Sequence, residues 1–114
     1  MSRNPAARGK ADRNQRAIAD AIRLLGYPVM DLSHAGNGVE DLLVGLHRLI
    51  VDDAEVICFW IVVEAKVPRN KRGTVQPSQF KPAQKEWRNK TACWPRITVT
   101  SAQDAVDQIR ELTR

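Results

Sequence analysis

The chain lacks any apolar run near the ~20 residues a membrane-spanning helix requires. Its longest, residues 56–63, is strand-sized and lies mid-chain. Cysteine is scarce as well. Cys58 and Cys93 stand far apart without CxxC spacing, so no disulfide framework is expected, and a reduced, cytoplasmic chain fits better. Residues 1–5 are basic but run into a polar segment, unlike a secretory signal. The two histidines, His34 and His47, have no partner at ligand spacing, which argues against zinc. There is no internal repeat and no low-complexity tract. What is left is a sequence of 114 residues, enough for one domain with a modest core.

Acids are nearly missing from both flanks. Residues 1–16 carry Arg3, Arg8, Lys10, Arg13 and Arg16 against Asp12 alone, and residues 66–96 carry nine cations against Glu86 alone. Seven acids cluster in residues 31–64, with Arg48 between them. The formal charge is +5. An acidic centre flanked by cations suits a polyanion such as a phosphate backbone, although charge by itself identifies no partner.

Residues 1–9 read as a flexible basic arm and residues 10–114 as the single folded domain. Ile18, Ala21, Ile22 and Leu25 repeat at helical spacing, and Gly26 supplies the stop. Residues 27–32 predict a strand, and residues 33–40, with Gly36, Asn37 and Gly38, a turn. A second strand is expected from Asp41 to Leu46, continuing toward Ile50 and Val51. After a polar break at residues 52–55, residues 56–65 form the strongest strand signal. Its near-continuous apolar run predicts a central strand covered on both faces, with Trp60 in the core. A basic loop over residues 68–79 precedes a helix from Pro82 to about Asn89 that buries Ala83 and Trp87. Residues 97–100 predict a strand. Ser101 caps a last helix with Ala105, Val106, Ile109 and Leu112 on one face. The order αβββαβα implies an α/β fold: an antiparallel meander, then a parallel fourth strand after the helix crossover, in a mixed sheet flanked by helices.

Glu64-Ala65-Lys66 ends the apolar strand. Alternation points Glu64 and Lys66 to one face. A carboxylate and an ammonium in such a place need partners. Taking the hairpin centre near residue 53, Asp41 falls opposite about residue 65, so Asp41 and Glu64 converge. Two carboxylates and a backbone carbonyl make an oxygen-rich site for Mg²⁺, which activates water and stabilises charge on a phosphate. Lys66 would orient that water or neutralise the developing anion. The plainer readings are a turn-capping Asp41, a solvated Glu64/Lys66 pair and a Gln84 that is only surface.

Residues 38–45 (Gly-Val-Glu-Asp-Leu-Leu-Val-Gly), Val63-Glu64-Ala65-Lys66 and Gln84 together resemble the PD-(D/E)XK nuclease superfamily. The nearest branch is the VRR-NUC and Holliday-junction-resolvase-like group in its short phage and prophage form. The resemblance spans about residues 14–109. It implies a restriction-endonuclease-like fold and a Mg²⁺-dependent endodeoxyribonuclease, with Mn²⁺ as substitute. It assigns catalysis to Asp41, Glu64, Lys66 and Gln84, and the metal to Asp41, Glu64 and the Ala65 carbonyl. Gln15 matches the polar residue of the first helix. The implied substrate is DNA, branched or flapped, and a homodimer would present two sites. Arg69, Lys71, Arg72, Lys81 and Lys85, with Gln15 and His34, are the expected nucleic-acid contacts. Two positions depart from the family. Glu40 replaces the proline before Asp41 and leaves either acid able to lead at the metal, with Leu42-Leu43 after Asp41 favouring Asp41. Gln15 replaces an acid and removes a ligand for a second ion. The rival readings are a non-catalytic nucleic-acid-binding module of the same fold and a phage accessory interaction protein.

Overall fold

A computed structural model describes residues 5–50, 52, 54–69 and 72–114, with side chains from Arg13 onward. Helix α1 runs from Pro5 to Leu24. It starts earlier than the expected boundary near residue 10, consistent with proline's preference for a helix's first turn. Residues 1–4 of the expected arm lie outside the described residues. Ile18, Ala19 and Ile22 are buried, Leu25 packs beside them, and Gly26 ends the helix at φ +96°.

Strand β1 (Val29–Asp31) is shorter than expected. Its flanks still pair: Gly45 N–H donates to the Pro28 carbonyl at 3.1 Å and Leu32 N–H to that of Asp41 at 2.7 Å. Strands β2 (Leu42–Ile50) and β3 (Glu55–Ala65) form the long antiparallel hairpin, from Leu42 opposite Val63 to Ile50 opposite Glu55. A single 3-10 turn, Pro77–Gln79, interrupts the basic loop before α2 (Pro82–Lys90). β4 (Arg96–Val99) lies parallel to β3, with Val63 beside Ile97. α3 (Ala102–Thr113) follows, and Ser101 Oγ accepts from Asp104 N–H at 3.1 Å as its cap. The outcome is an α/β fold with a four-stranded mixed sheet, β1-β2-β3-β4, and three helices.

The core lies between one face of the sheet and the helices α1 and α3. It is built from Ile18, Ile22, Leu42, Val44, Leu46, Ile61, Val63, Val99, Ala105 and Ile109. These sheet residues alternate, as a half-covered strand requires. That corrects the expectation for β3, which is not covered on both faces. Val56, Cys58 and Trp60 point away from the core and are exposed, Trp60 by 57%. Among the described residues, only the Glu64 end of this outer face receives a helix, through α2. The unbroken apolar run conceals this, because its outward members are apolar too.

Helix α2 also differs from expectation. It has no buried residue, Ala83 is exposed and Trp87 is half-buried. Nine residues without a wide apolar stripe are held instead by close approach and polar contacts. A Cβ on Gly38 would meet the Ala83 carbonyl oxygen at 2.2 Å, and Gly38 has φ +79°, so only glycine lets the turn lie against α2. Both cysteines are free and exposed. Among the described residues, no helix is long and apolar enough to cross a membrane.

Candidate active site

The hairpin register brings Asp41 and Glu64 together one residue from the expected pairing. Leu42 pairs with Val63, so the next positions outward are Asp41 and Glu64. Ala65 N–H donates to Asp41 Oδ2 at 2.9 Å, which fixes the first carboxylate at the mouth of the hairpin. The parallel neighbour fixes the other strand end, as Lys66 N–H donates to the Val99 carbonyl at 3.0 Å. Glu64 is 4% exposed.

Gln84, at the third position of α2, joins the group. Its Nε2 donates to Glu64 Oε1 at 3.2 Å. Its Oε1 accepts from Lys66 Nζ at 3.1 Å and from Lys81 N–H at 2.9 Å, so the same amide ties the helix start to the site. Lys66 Nζ lies 3.9 Å from Glu64 Oε1 and 5.1 Å from the centre of the Phe80 ring. The structure therefore brings Asp41, Glu64, Lys66 and Gln84 into one cluster.

Burial and mutual repulsion govern the two carboxyls. Burial pushes Glu64 up to about 8, the adjacent Asp41 charge adds to this, and Lys66 opposes it. Asp41 is also raised by burial, against the lowering effects of the Ala65 N–H, a hydrogen bond from Glu64 and the Lys66 charge. The hydrogen bond between them lowers Asp41 and raises Glu64, so the two carboxyls oppose one another's ionisation. Among the described residues no group of three His, Cys, Asp or Glu side chains gathers to hold a metal. An oxygen-only pair of carboxyls fits Mg²⁺, which keeps several waters and uses one or two carboxylates, better than an ion caged by protein. The Ala65 N–H is committed to Asp41, and the Ala65 carbonyl is the neighbouring backbone oxygen.

Glu40 makes its contacts on the other side, with α2 and β4, although its charge adds to the upward push on Glu64. It is 1% exposed and accepts from Trp87 Nε1 at 3.1 and 3.2 Å, with Arg96 Nε 3.4 Å away. Arg96 also donates to the carbonyls of Arg88 at 3.2 Å and Thr91 at 2.9 Å. Glu40 thereby hangs α2 on the sheet. Glu40→Ala is expected to cost about 3–5 kcal/mol, because it strands a buried guanidinium. Urea unfolding measures it, and a loss below about 1 kcal/mol would show that the pair carries little.

The remaining predicted contacts are scattered. Gln15 lines a cavity of about 300 Å³ between α1 and β1 with Arg16, Arg23, Asp31 and Ser33. His34 is exposed in the turn before Asp41, whereas His47 meets the Tyr27 ring at 5.0 Å. Arg69, Arg72, Lys81 and Lys85 are exposed, and Lys71 lies outside the described residues. Sequence reasoning missed Gln79 and Arg88. Gln79 is buried, donating to the Val67 carbonyl at 2.7 Å and accepting from Gln76 N–H at 3.0 Å, so it pins the segment after Lys66. Arg88 lies over the other partner of Lys66, the Phe80 ring, at 4.4 Å, and its buried Nη1 has no acceptor among the described residues. Neither has a spacing signal, since each acts through a loop that only the fold closes. No family model, curated protein or solved structure matches this chain.

Proposed function

We propose that the chain is a metal-dependent nuclease with a restriction-endonuclease-like fold, hydrolysing phosphodiester bonds of DNA. The observation that carries this reading is the convergence of Asp41 and buried Glu64 at the mouth of the hairpin beside Lys66. A buried Glu64 and a partly buried Asp41 that repel each other in the metal-free protein would release protons on binding a divalent cation. Mg²⁺, or Mn²⁺ in its place, would be held by Asp41, Glu64 and the Ala65 carbonyl, and would supply Lewis-acid stabilisation and an activated water.

The chain's own groups do the rest. Gln84 holds Glu64 and Lys66 in fixed relation through opposite ends of one amide. Lys66 presents its ammonium to the phosphoryl oxygens as negative charge builds, which is transition-state stabilisation by a preorganised cation. Its ammonium lies over the Phe80 ring and is bonded to Gln84, so less motion must be frozen when substrate arrives. Arg69, Arg72, Lys81 and Lys85 are exposed on the basic segment that follows Lys66 and would meet the flanking phosphates.

The test is a labelled panel of single strand, duplex, flap and four-way junction, incubated with Mg²⁺ or Mn²⁺. Wild type should cut at least one substrate only when metal is present, and Glu64→Ala should cut none. Salt-sensitive binding without cutting by either protein would leave a non-catalytic binding module instead.

A further inference from the structure

The chain has three tryptophans, and all of them line one groove on the outer face of the sheet. Trp60 comes from β3, Trp87 from α2 and Trp94 from the segment before β4, with Leu43, Val62 and Pro95 completing the apolar walls of a cavity of about 400 Å³. Trp60 is 57% exposed and Trp94 64%. The half-buried Trp87 is fixed by Glu40, so the groove has a rigid wall as well as two open indoles.

Charge and position narrow the occupant. The one acid in the walls, Glu40, is already engaged by Trp87 and Arg96. The segment that supplies two of the three indoles is the strongly basic one, residues 66–96. Leu43 and Val62 are paired neighbours on the strand face that next carries Asp41 and Glu64. Trp60 lies four residues from Glu64 along β3, about 13 Å at strand rise. A stacked strand rises about 3.4 Å per nucleotide. The groove is therefore within about four nucleotides of the carboxyl pair. A ligand with flat aromatic faces on a polyanionic chain meets all these conditions. Inside a duplex those faces are covered by their neighbours, so the bases must be unpaired.

Resting on the nuclease reading above, we propose that the Trp60–Trp87–Trp94 groove stacks unpaired bases of single-stranded nucleic acid next to the cleavage site. The site would then favour substrates that carry an unpaired arm.

Because the chain has no other tryptophan, its tryptophan fluorescence reports on this groove alone. Without divalent metal, oligo(dT) of about 20 nucleotides should quench it, and a blunt duplex of equal length should not. Trp60→Ala/Trp94→Ala alters two exposed side chains, and circular dichroism checks its fold. Measured by anisotropy of labelled DNA, it should bind oligo(dT) roughly ten-fold or more weakly, with duplex affinity unchanged. Trp60→Phe/Trp94→Phe should restore most of the binding. Unchanged oligo(dT) affinity in the alanine variant, or equal loss for strand and duplex, overturns the proposal. So does sedimentation showing a wild-type dimer that the alanine variant dissociates, since the groove would then belong to a second copy of the chain. The nuclease reading fails separately. If wild type cuts nothing with Mg²⁺ yet binds oligo(dT) and the alanine variant does not, the groove stands and the enzyme does not.

Discussion

Glu64→Gln is expected to lose cleavage by about a thousand-fold or more while leaving the metal-free protein at least as stable as wild type at pH 8. The loss follows from the role proposed for the acid: a bound cation contributes several kcal/mol of charge stabilisation, and each 1.36 kcal/mol is tenfold in rate. The stability follows from the cluster's geometry. Glutamine keeps the oxygen that accepts from Gln84 Nε2 and removes a charge buried beside Asp41. A residue that only held the fold together would show the reverse, with stability falling and activity following it. Single-turnover cleavage and urea unfolding on the same preparation separate the two. Destabilisation by more than about 2 kcal/mol with residual activity near wild type would remove Glu64 from the reaction.

The second large effect is on pH dependence. Glu64 rises from 4.5 to about 8 on folding. The folded state therefore holds a proton that the unfolded chain releases, and metal-free stability must fall as pH climbs from about 4.5 to about 8. Below that window the group is protonated in both states, and above it in neither, so the curve flattens at both ends. For one proton the steepest slope is about 1.4 kcal/mol per pH unit. Burial raises Asp41 too, which acts in the same direction at the acidic end. Glu64→Gln should remove most of the slope. A divalent cation held by the two carboxyls would displace a proton from Glu64, so Mg²⁺ affinity should rise by up to about ten-fold per pH unit as pH climbs toward 8. Urea melts from pH 5 to 9, with and without Mg²⁺, measure both slopes. A metal-free stability that rises across the window would contradict the assigned environment of Glu64.

Much of this was legible in the sequence because local signals agreed. The Ile18/Ile22 stripe with Gly26, the hairpin break near residues 52–55, Pro82 and the Ser101 cap each place an element close to its observed bounds. The hairpin arithmetic placed Asp41 opposite Glu64 to within one residue, since antiparallel pairing leaves little freedom once the turn is located. The failures share a different cause. Trp60 reads as core because period-2 alternation vanishes when outward positions are also apolar, and only the missing cover over that face shows it. The contacts of Glu40 with Trp87 and Arg96 were not legible because both partners are distant in sequence. Gln79 and Arg88 carry no pattern, and their contacts exist only after the loop following Lys66 has folded back.

The central claim is that one divalent cation sits between Asp41 and Glu64. Mn²⁺ titration, with free ion followed by electron paramagnetic resonance, tests it most directly on wild type, Asp41→Ala and Glu64→Ala. A single ion bound per chain in wild type, with affinity lost in both variants and their circular dichroism unchanged, is the predicted result. Equal Mn²⁺ binding in all three proteins, or none in a wild type that still cleaves DNA, would contradict it.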